Sequence, residues 1–163
     1  MKKPLINQFI IIKSILVISL IFIDFLTKQL VFHYLDLNQS IFINNFFEII
    51  HIHNKGISFG LFSDLFSPWL LVCISSIILL MILFMYFKSN SSLEKIGLQL
   101  IIVGALSNIF DRIYNGFVID FIFFHINNFN WPAFNFADIY ISIGIFILIL
   151  QIFNDLIRKV INK

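Results

Sequence analysis

The chain has 163 residues, of which 60% are hydrophobic and only 12% charged, and its mean hydropathy is +0.97. This composition excludes an ordinary soluble globular domain and predicts one integral-membrane domain over residues 1–163. The net charge is only +2, and the basic residues are scattered along the chain. The sequence therefore does not predict a basic surface that would bind nucleic acid. The single cysteine, Cys73, cannot form an internal disulfide.

Four apolar stretches are long enough to cross a bilayer as helices, which takes about 20 residues each. We predict spans over residues 9–31, 69–87, 96–113 and 137–157, with longer connections at 33–67 and 114–136. Ser67-Pro68 predicts the start of the second span, with serine as the N-cap and proline in the first turn. The fold class is therefore membrane all-α, with four transmembrane helices. In the first long connection, the alternating segment Ile49-Ile50-His51-Ile52-His53 is typical of a strand, so we expect a small β-rich cradle there.

The basic residues predict the orientation, because Lys and Arg accumulate on the cytoplasmic side of membrane proteins. Both termini and the short link between the second and third spans carry most of them, so we place both termini in the cytoplasm and the two long loops outside. Eight of the eleven basic residues then lie inside, namely Lys2, Lys3, Lys13, Lys88, Lys95, Arg158, Lys159 and Lys163.

Asp24 and Lys28 lie within the first span. Asp24 precedes Lys28 by four positions, which is the favourable order for an ion pair along a helix. Charged groups at membrane depth are costly unless they are paired. We therefore predict a structural ion pair; the alternative is that Lys28 meets a phosphate or a carbonyl of a lipid-bearing substrate.

The third span ends in a polar group. Gly97 and Gly104 are seven residues apart, so they share one helix face and permit close packing of another helix. Asn108 and Asp111 continue that face, and Arg112 follows directly. An Asp–Arg pair or a network with Asn108 is available, and the group serves either as a clasp between the helix end and the loop or as a substrate contact.

Asp120 and Asp138 differ from the other carboxylates because no basic residue lies within several positions of either. Each is placed at the outer boundary of a span. Two such carboxylates brought together would share a proton, one acting as base on a water and the other as acid on a carbonyl, as in aspartic proteases. The competing interpretations are a surface loop for Asp120 and, for Asp138, a capping box with Asn135.

The pair His51-x-His53 would share one face of a strand and is the only pattern that invites a metal ion. No convincing third ligand lies nearby, so lining of a pocket is favoured over zinc binding. Nucleotide-binding and HExxH motifs are absent from the sequence. We expect neither a metal nor a cofactor.

Five ordered blocks cover nearly the whole chain and carry a family resemblance. They are Asp24-x-x-x-Lys28, Asn54-x-Gly56-x-x-Phe59-Gly60, Gly104-Ala-Leu-x-Asn108-x-x-Asp111-Arg112, Gly116-x-Val118-x-Asp120-Phe121 and Phe134-Asn135-x-Ala137-Asp138. In these blocks the chain resembles the lipoprotein signal peptidases, the bacterial signal peptidase II family. It departs from the family pattern at Ser107, where Gly is usual, and at Lys55, Ile57 and Ser58 of the outer loop.

The resemblance implies a four-span aspartic endopeptidase of the bacterial inner membrane, with its active site at the periplasmic face. It would remove the signal peptide of diacylglyceryl-modified prolipoproteins, cutting before the lipidated cysteine. Asp120 and Asp138 would be catalytic. Asn54, Gly56, Asn108, Asp111, Arg112 and Asn135 would support the site or contact the substrate, and Asp24 and Lys28 would have a supporting role.

The expected partners are lipid-modified prolipoproteins and membrane lipids, and we expect a monomer. Gly56 and Gly60 would let the outer loop close over the substrate. The alternative is a non-enzymatic transporter or assembly factor, in which Asp24, Asp111 and Asp120 would line a proton or cation path.

Overall fold

The computed structural model describes residues 3–56, 67–127 and 129–161, with side chains from residue 11 onward. Four helices dominate it: α1 (Lys3–Tyr34), α2 (Pro68–Lys88), α3 (Ser92–Asn115) and α4 (Phe136–Ile161). Within the described ranges, each of the four contains a segment long and apolar enough to cross a membrane. The predicted number of spans is confirmed.

The helices extend beyond the predicted spans, and capping groups mark the ends of α2 and α3. The Ser67 hydroxyl accepts a hydrogen bond from the Leu70 amide at the start of α2, as the Ser-Pro pair predicts. Helix α3 begins after Ser91, whose hydroxyl accepts from the Glu94 amide, and it ends at Gly116 with φ of +80°. Gly116 supplies this left-handed conformation without strain.

Helix α3 lies at the centre of the bundle and packs against the other three helices. Its glycine face permits close contact with α4. A Cβ atom added at Gly104 would collide with the carbonyl oxygen of Ala137, and one added at Gly97 would lie 2.9 Å from the carbonyl oxygen of Gly144. The predicted close packing is confirmed, and it fixes the start of α4 beside the end of α3.

A four-stranded antiparallel sheet covers one end of the bundle, in the order β1 (Ser40–Asn44), β2 (Phe47–Asn54), β3 (Val118–Ile126) and β4 (Phe129–Asn130). The predicted β-structure in the first long loop is confirmed by β1 and β2, and the sheet also extends into the second long loop. Both long connections contribute to the sheet, because β2 finds its second partner in β3. Without β3, one edge of β2 would be unpaired and would expose its backbone N–H and C=O groups.

The sheet is anchored to the helices through apolar contacts of β3. Ile119, Phe121 and Ile122 form a buried cluster with Val31 near the end of α1. The register pairs Asn54 of β2 with Val118 of β3, two residues before Asp120. The site is thus held between a sheet and the ends of three helices. Phe59 and Gly60 of the outer-loop motif lie outside the described residues.

Candidate active site

Asp120 and Asp138 come from different elements and line the same cavity. Asp120 lies on β3 and is only 2% exposed, so its interpretation as a surface loop residue is wrong. Asp138 lies in the first turn of α4. The cavity has a volume of about 350 Å³ and is lined by side chains of α2, α3 and α4 and of strands β2 and β3.

All four carboxylate oxygens of this pair accept a hydrogen bond. Asn54 Nδ2 donates to Asp120 Oδ2 at 2.8 Å, and Asn135 Nδ2 donates to Asp120 Oδ1 at 2.6 Å. Asn108 Nδ2 donates to Asp138 Oδ1 at 2.9 Å, and the backbone N–H of Asn135 donates to Asp138 Oδ2 at 3.2 Å. The two carboxylates are therefore held in fixed orientations by neutral donors.

Backbone amides fix the orientation of two of these asparagines. The Gly56 N–H donates to Asn54 Oδ1, and the Asp138 N–H donates to Asn135 Oδ1, both at 3.0 Å. A backbone N–H can only donate, so each side-chain oxygen must face it and each NH₂ group must face Asp120. The predicted capping box of Asn135 and Asp138 is present, and it coexists with the carboxylate pair.

Lys28 fixes the third asparagine. Its Nζ donates to Asn108 Oδ1 at 3.0 Å, which turns the Asn108 NH₂ group towards Asp138. The same ammonium lies 2.7 Å from Asp24 Oδ2 and 2.8 Å from Asp111 Oδ2. The predicted Asp24–Lys28 ion pair is confirmed, and it extends into a buried network of four side chains.

Of the two alternatives for Arg112, the pair with Asp111 does not form, whereas Arg112 Nη1 donates to the carbonyl oxygen of Asn108 at 3.5 Å. Adjacent residues on a helix point about 100° apart, so Asp111 turns towards Lys28 while Arg112 turns towards the cavity. Arg112 Nη2 donates to the carbonyl oxygen of Gly56 at 2.9 Å. Its Nε is buried and has no acceptor among the described residues. Arg112 thus links α3 to the segment after β2.

Asp24 also holds the start of α4. Its Oδ1 accepts a hydrogen bond from the backbone N–H of Ala137 at 2.8 Å, and Asp24 is 1% exposed. The first turn of a helix has amides without partners inside the helix, and a carboxylate satisfies one of them. Helix α1 therefore positions the turn that carries Asp138.

The environment of Asp120 favours its protonated form. Burial, followed by the nearby charge of Asp138, raises the pKa of Asp120 from 3.8 to about 7, against the hydrogen bonds from Asn54 and Asn135, which lower it. Neither aspartate forms an ion pair with a described residue. The arrangement can therefore hold a proton near neutral pH and offer a carboxylate base beside it.

His51 and His53, the two histidines of β2, contact each other and neighbouring residues of the protein. His51 Nδ1 lies 2.9 Å from the Leu35 carbonyl oxygen, so this nitrogen carries a proton and Nε2 is left to accept from His53 Nε2 at 3.0 Å. The His53 ring stacks on Phe117, and burial, with the neighbouring His51 next, lowers its pKa. No group of three or more His, Cys, Asp or Glu side chains in the described part of the chain is placed to hold a metal ion.

Helix α2 contributes to the cavity through Ser75, Ile78 and Ile82, and α3 adds Ala105. The sequence predicts no site residue in α2. Serine and isoleucine are unremarkable within an apolar span, and only the packing of three helices shows that these side chains face the aspartates.

The chain is similar over most of its length to known proteins. A family model described as signal peptidase (SPase) II matches residues 16–154. The chain is 41% identical over 141 residues to the lipoprotein signal peptidase of Francisella tularensis subsp. novicida (strain U112), covering 83% of this chain and 87% of that protein. It is 39% identical over 151 residues to the lipoprotein signal peptidase of Aquifex aeolicus (strain VF5), covering 90% and 89%.

Two solved structures share the fold. A bacterial membrane enzyme determined at 2.3 Å superposes with a TM-score of 0.79 at 28% identity, over 88% of each chain. A second bacterial membrane enzyme, at 1.9 Å, gives a TM-score of 0.75 at 28% identity over 86% of this chain and 92% of the other. The match of the family model over most of the chain and the identity to the two relatives establish that this chain belongs to the signal peptidase II family of lipoprotein signal peptidases.

Proposed function

We propose that this protein removes signal peptides from diacylglyceryl-modified prolipoproteins by direct attack of water activated by Asp120 and Asp138. Membership of the signal peptidase II family supports peptidase activity on prolipoproteins. The observation that carries the mechanism is the placement of two carboxylates from β3 and α4 in one cavity, with four N–H donors on their oxygens.

In this mechanism the pair holds one proton at rest. The raised pKa of Asp120, about 7, supports Asp120 as the group that carries it. Asp138 then removes a proton from water, and the water oxygen attacks the scissile carbonyl while Asp120 protonates the carbonyl oxygen. Collapse of the tetrahedral intermediate, with proton transfer to the amine, releases the signal peptide and the lipidated cysteine.

The surrounding residues would act by positioning. Asn54, Asn108 and Asn135 hold the carboxylates, while Arg112 and Gly56 join α3 to the segment that would lie over the substrate. Asp24, Lys28 and Asp111 would fix the orientation of Asn108 and the position of the first turn of α4. Such fixed geometry lowers the entropic cost of bringing water and peptide bond together.

The four apolar helices and the family place the protein in the bacterial inner membrane. We further propose that both termini are cytoplasmic, that the sheet and the cavity face the periplasm, and that the single domain acts as a monomer. The acyl chains of the substrate would stay in the bilayer, so the bond to be cut would enter the cavity laterally between α2 and α4.

The transporter alternative requires Asp24, Asp111 and Asp120 to line one path. Lys28 binds both Asp24 and Asp111, and the two carboxylates are 1% and 4% exposed. A closed ion-paired network offers no vacant site to a moving cation. This arrangement supports hydrolysis over transport.

The test of the function uses purified protein with matched precursors that differ only in the diacylglyceryl group on the cysteine. We expect the modified precursor to be cut before the cysteine, with product masses corresponding to the free signal peptide and the lipidated mature chain. Equal cleavage of the unmodified precursor would contradict the assigned specificity.

A separate measurement addresses the orientation. A reporter that is active only in the cytoplasm, fused after Lys163, should be active, and the same reporter inserted between Leu37 and Asn38 should be inactive. The opposite pattern would contradict the proposed orientation while leaving the chemistry of the cavity unchanged.

A further inference from the structure

One wall of the cavity carries a polar group that the proposed mechanism does not use. Helix α2 presents Ser75, Ile78 and Ile82 to the cavity, at spacings of three and four residues that place them on one helix face. Ser75 is the polar member of this face. Its hydroxyl forms no hydrogen bond with any residue in the described ranges.

Ser75 lies at the depth of the asparagine that holds Asp138. It follows Pro68, the first residue of α2, by seven positions, and Asn108 precedes Asn115, the last residue of α3, by seven. A rise of 1.5 Å per residue puts each about 10 Å from the end of its helix that lies at the sheet. Both side chains line the cavity, so Ser75 faces the carboxylate pair from α2.

The substrate of the proposed function would present acceptors at this depth. A signal peptide that crosses the membrane as a helix must end its helix before the cleaved bond, and the last carbonyl groups of a helix have no partner within it. Away from water such groups are costly unless the protein supplies donors. The Ser75 hydroxyl is a donor without an acceptor among the described residues on the wall of this cavity.

On the basis of the proposed function, we propose that Ser75 is a substrate-binding residue whose hydroxyl donates a hydrogen bond to a main-chain carbonyl just before the cleaved bond. A main-chain acceptor is present in every precursor, so this contact does not depend on the side chains of the signal peptide. It would hold the unwound end of the signal helix on α2 while Asp120 and Asp138 meet the peptide bond.

The test compares Ser75→Thr with Ser75→Val, since threonine and valine have nearly the same shape and differ in the hydroxyl. With a lipidated precursor, we expect Ser75→Thr to retain activity and Ser75→Val to lower kcat/KM about three- to tenfold, the range for one lost hydrogen bond. The loss should appear in KM, because the contact is present in both the bound substrate and the transition state.

The neighbouring Ser76→Ala is the matched control, because Ser76 is also half-buried in α2 and does not line the cavity. It should leave kcat and KM unchanged, and thermal unfolding in detergent should be alike for all variants. Equal KM values for Ser75→Thr and Ser75→Val would overturn the substrate-binding role of Ser75 and would leave the proposed function unaffected. Failure of the wild-type protein to cut any lipidated precursor would overturn the proposed function and this contact with it.

Discussion

Two pairs of carboxylates among the described residues, Asp24 with Asp111 and Asp120 with Asp138, differ in what stands between their members. Asp24 and Asp111 share the ammonium of Lys28, at 2.7 and 2.8 Å. Asp120 and Asp138 have only neutral N–H donors on their oxygens. A cation compensates the first pair, whereas the second pair would share a proton in the proposed function. The difference separates the structural role predicted for the first pair from the catalytic role proposed for the second.

The largest effect is expected from removing either member of the proton-sharing pair. Asp120→Asn and Asp138→Asn, made separately, should each lower kcat by at least about 10²- to 10⁴-fold, because the pair loses its base or its acid. Cleavage of a lipidated precursor by the purified variants measures this. Asp36→Asn, at an exposed loop carboxylate, is the control. Near wild-type cleavage by either dyad variant would end the proposed mechanism.

The compensated pair should instead respond through stability. Lys28→Met leaves Asp24 and Asp111 buried without their cation, which costs about 3–5 kcal/mol of unfolding free energy for a broken buried ion pair. Thermal or denaturant unfolding in detergent measures the loss. Lys88→Met removes an exposed cation and should change stability by less than about 1 kcal/mol. Equal stabilities of the two variants would mean that the Lys28 network does not hold the bundle.

A smaller effect is expected at the contact between α3 and α4. Gly104→Ala places a methyl group against the Ala137 carbonyl and pushes α4 away from α3. We expect a loss of about 1–3 kcal/mol in unfolding free energy and a lower kcat, because Asp138 follows Ala137 directly. Cys73→Ala, at an exposed position of α2, is the control and should leave both quantities unchanged.

The smallest expected effect concerns pH. The pKa of about 7 for Asp120 predicts that kcat/KM falls about tenfold per pH unit above pH 7, as the shared proton is lost. Because folding raises this pKa from 3.8, the unfolding free energy contributed by Asp120 falls as pH rises from about 4 to about 7. A pH profile of kcat/KM and unfolding of the wild type beside Asp120→Asn measure the two trends.

The variant Asn54→Ala tests whether Asp120 sets the alkaline limb of the activity profile. The hydrogen bond from Asn54 lowers the pKa of Asp120, so its removal should move the alkaline limb of the activity profile to higher pH. His33→Ala, at an exposed residue near the end of α1, should leave the limb in place. A limb that stays at the same pH in Asn54→Ala would mean that Asp120 does not set it.

Much of this arrangement is readable from the sequence because it is local. The Asp24–Lys28 spacing predicts the ion pair, Ser67-Pro68 predicts the start of α2, and the absence of nearby cations distinguishes Asp120 and Asp138. Each of these features depends on residues within a few positions of one another or on hydropathy over about 20 residues.

The remaining features depend on contacts between distant parts of the chain. Lys28 and Asn108 are 80 residues apart, and the pairing of β2 with β3 joins the two long loops. Spacing within one helix left Asp111 able to pair with Arg112, and only the approach of α1 shows why it binds Lys28 instead. Ser75 has no sequence signal, because its position depends on how α2, α3 and α4 pack.

The hydrogen bond between Asp24 and the Ala137 amide joins positions that are 113 residues apart. During synthesis the first helix is made long before the last, so this contact forms only when α4 has entered the membrane. Asp138 arrives in the same step. A growing chain therefore carries Asp120 without its partner, and under the proposed function we expect ribosome-bound intermediates that lack α4 to cut no precursor. Proteolytic competence would begin only with insertion of the last helix.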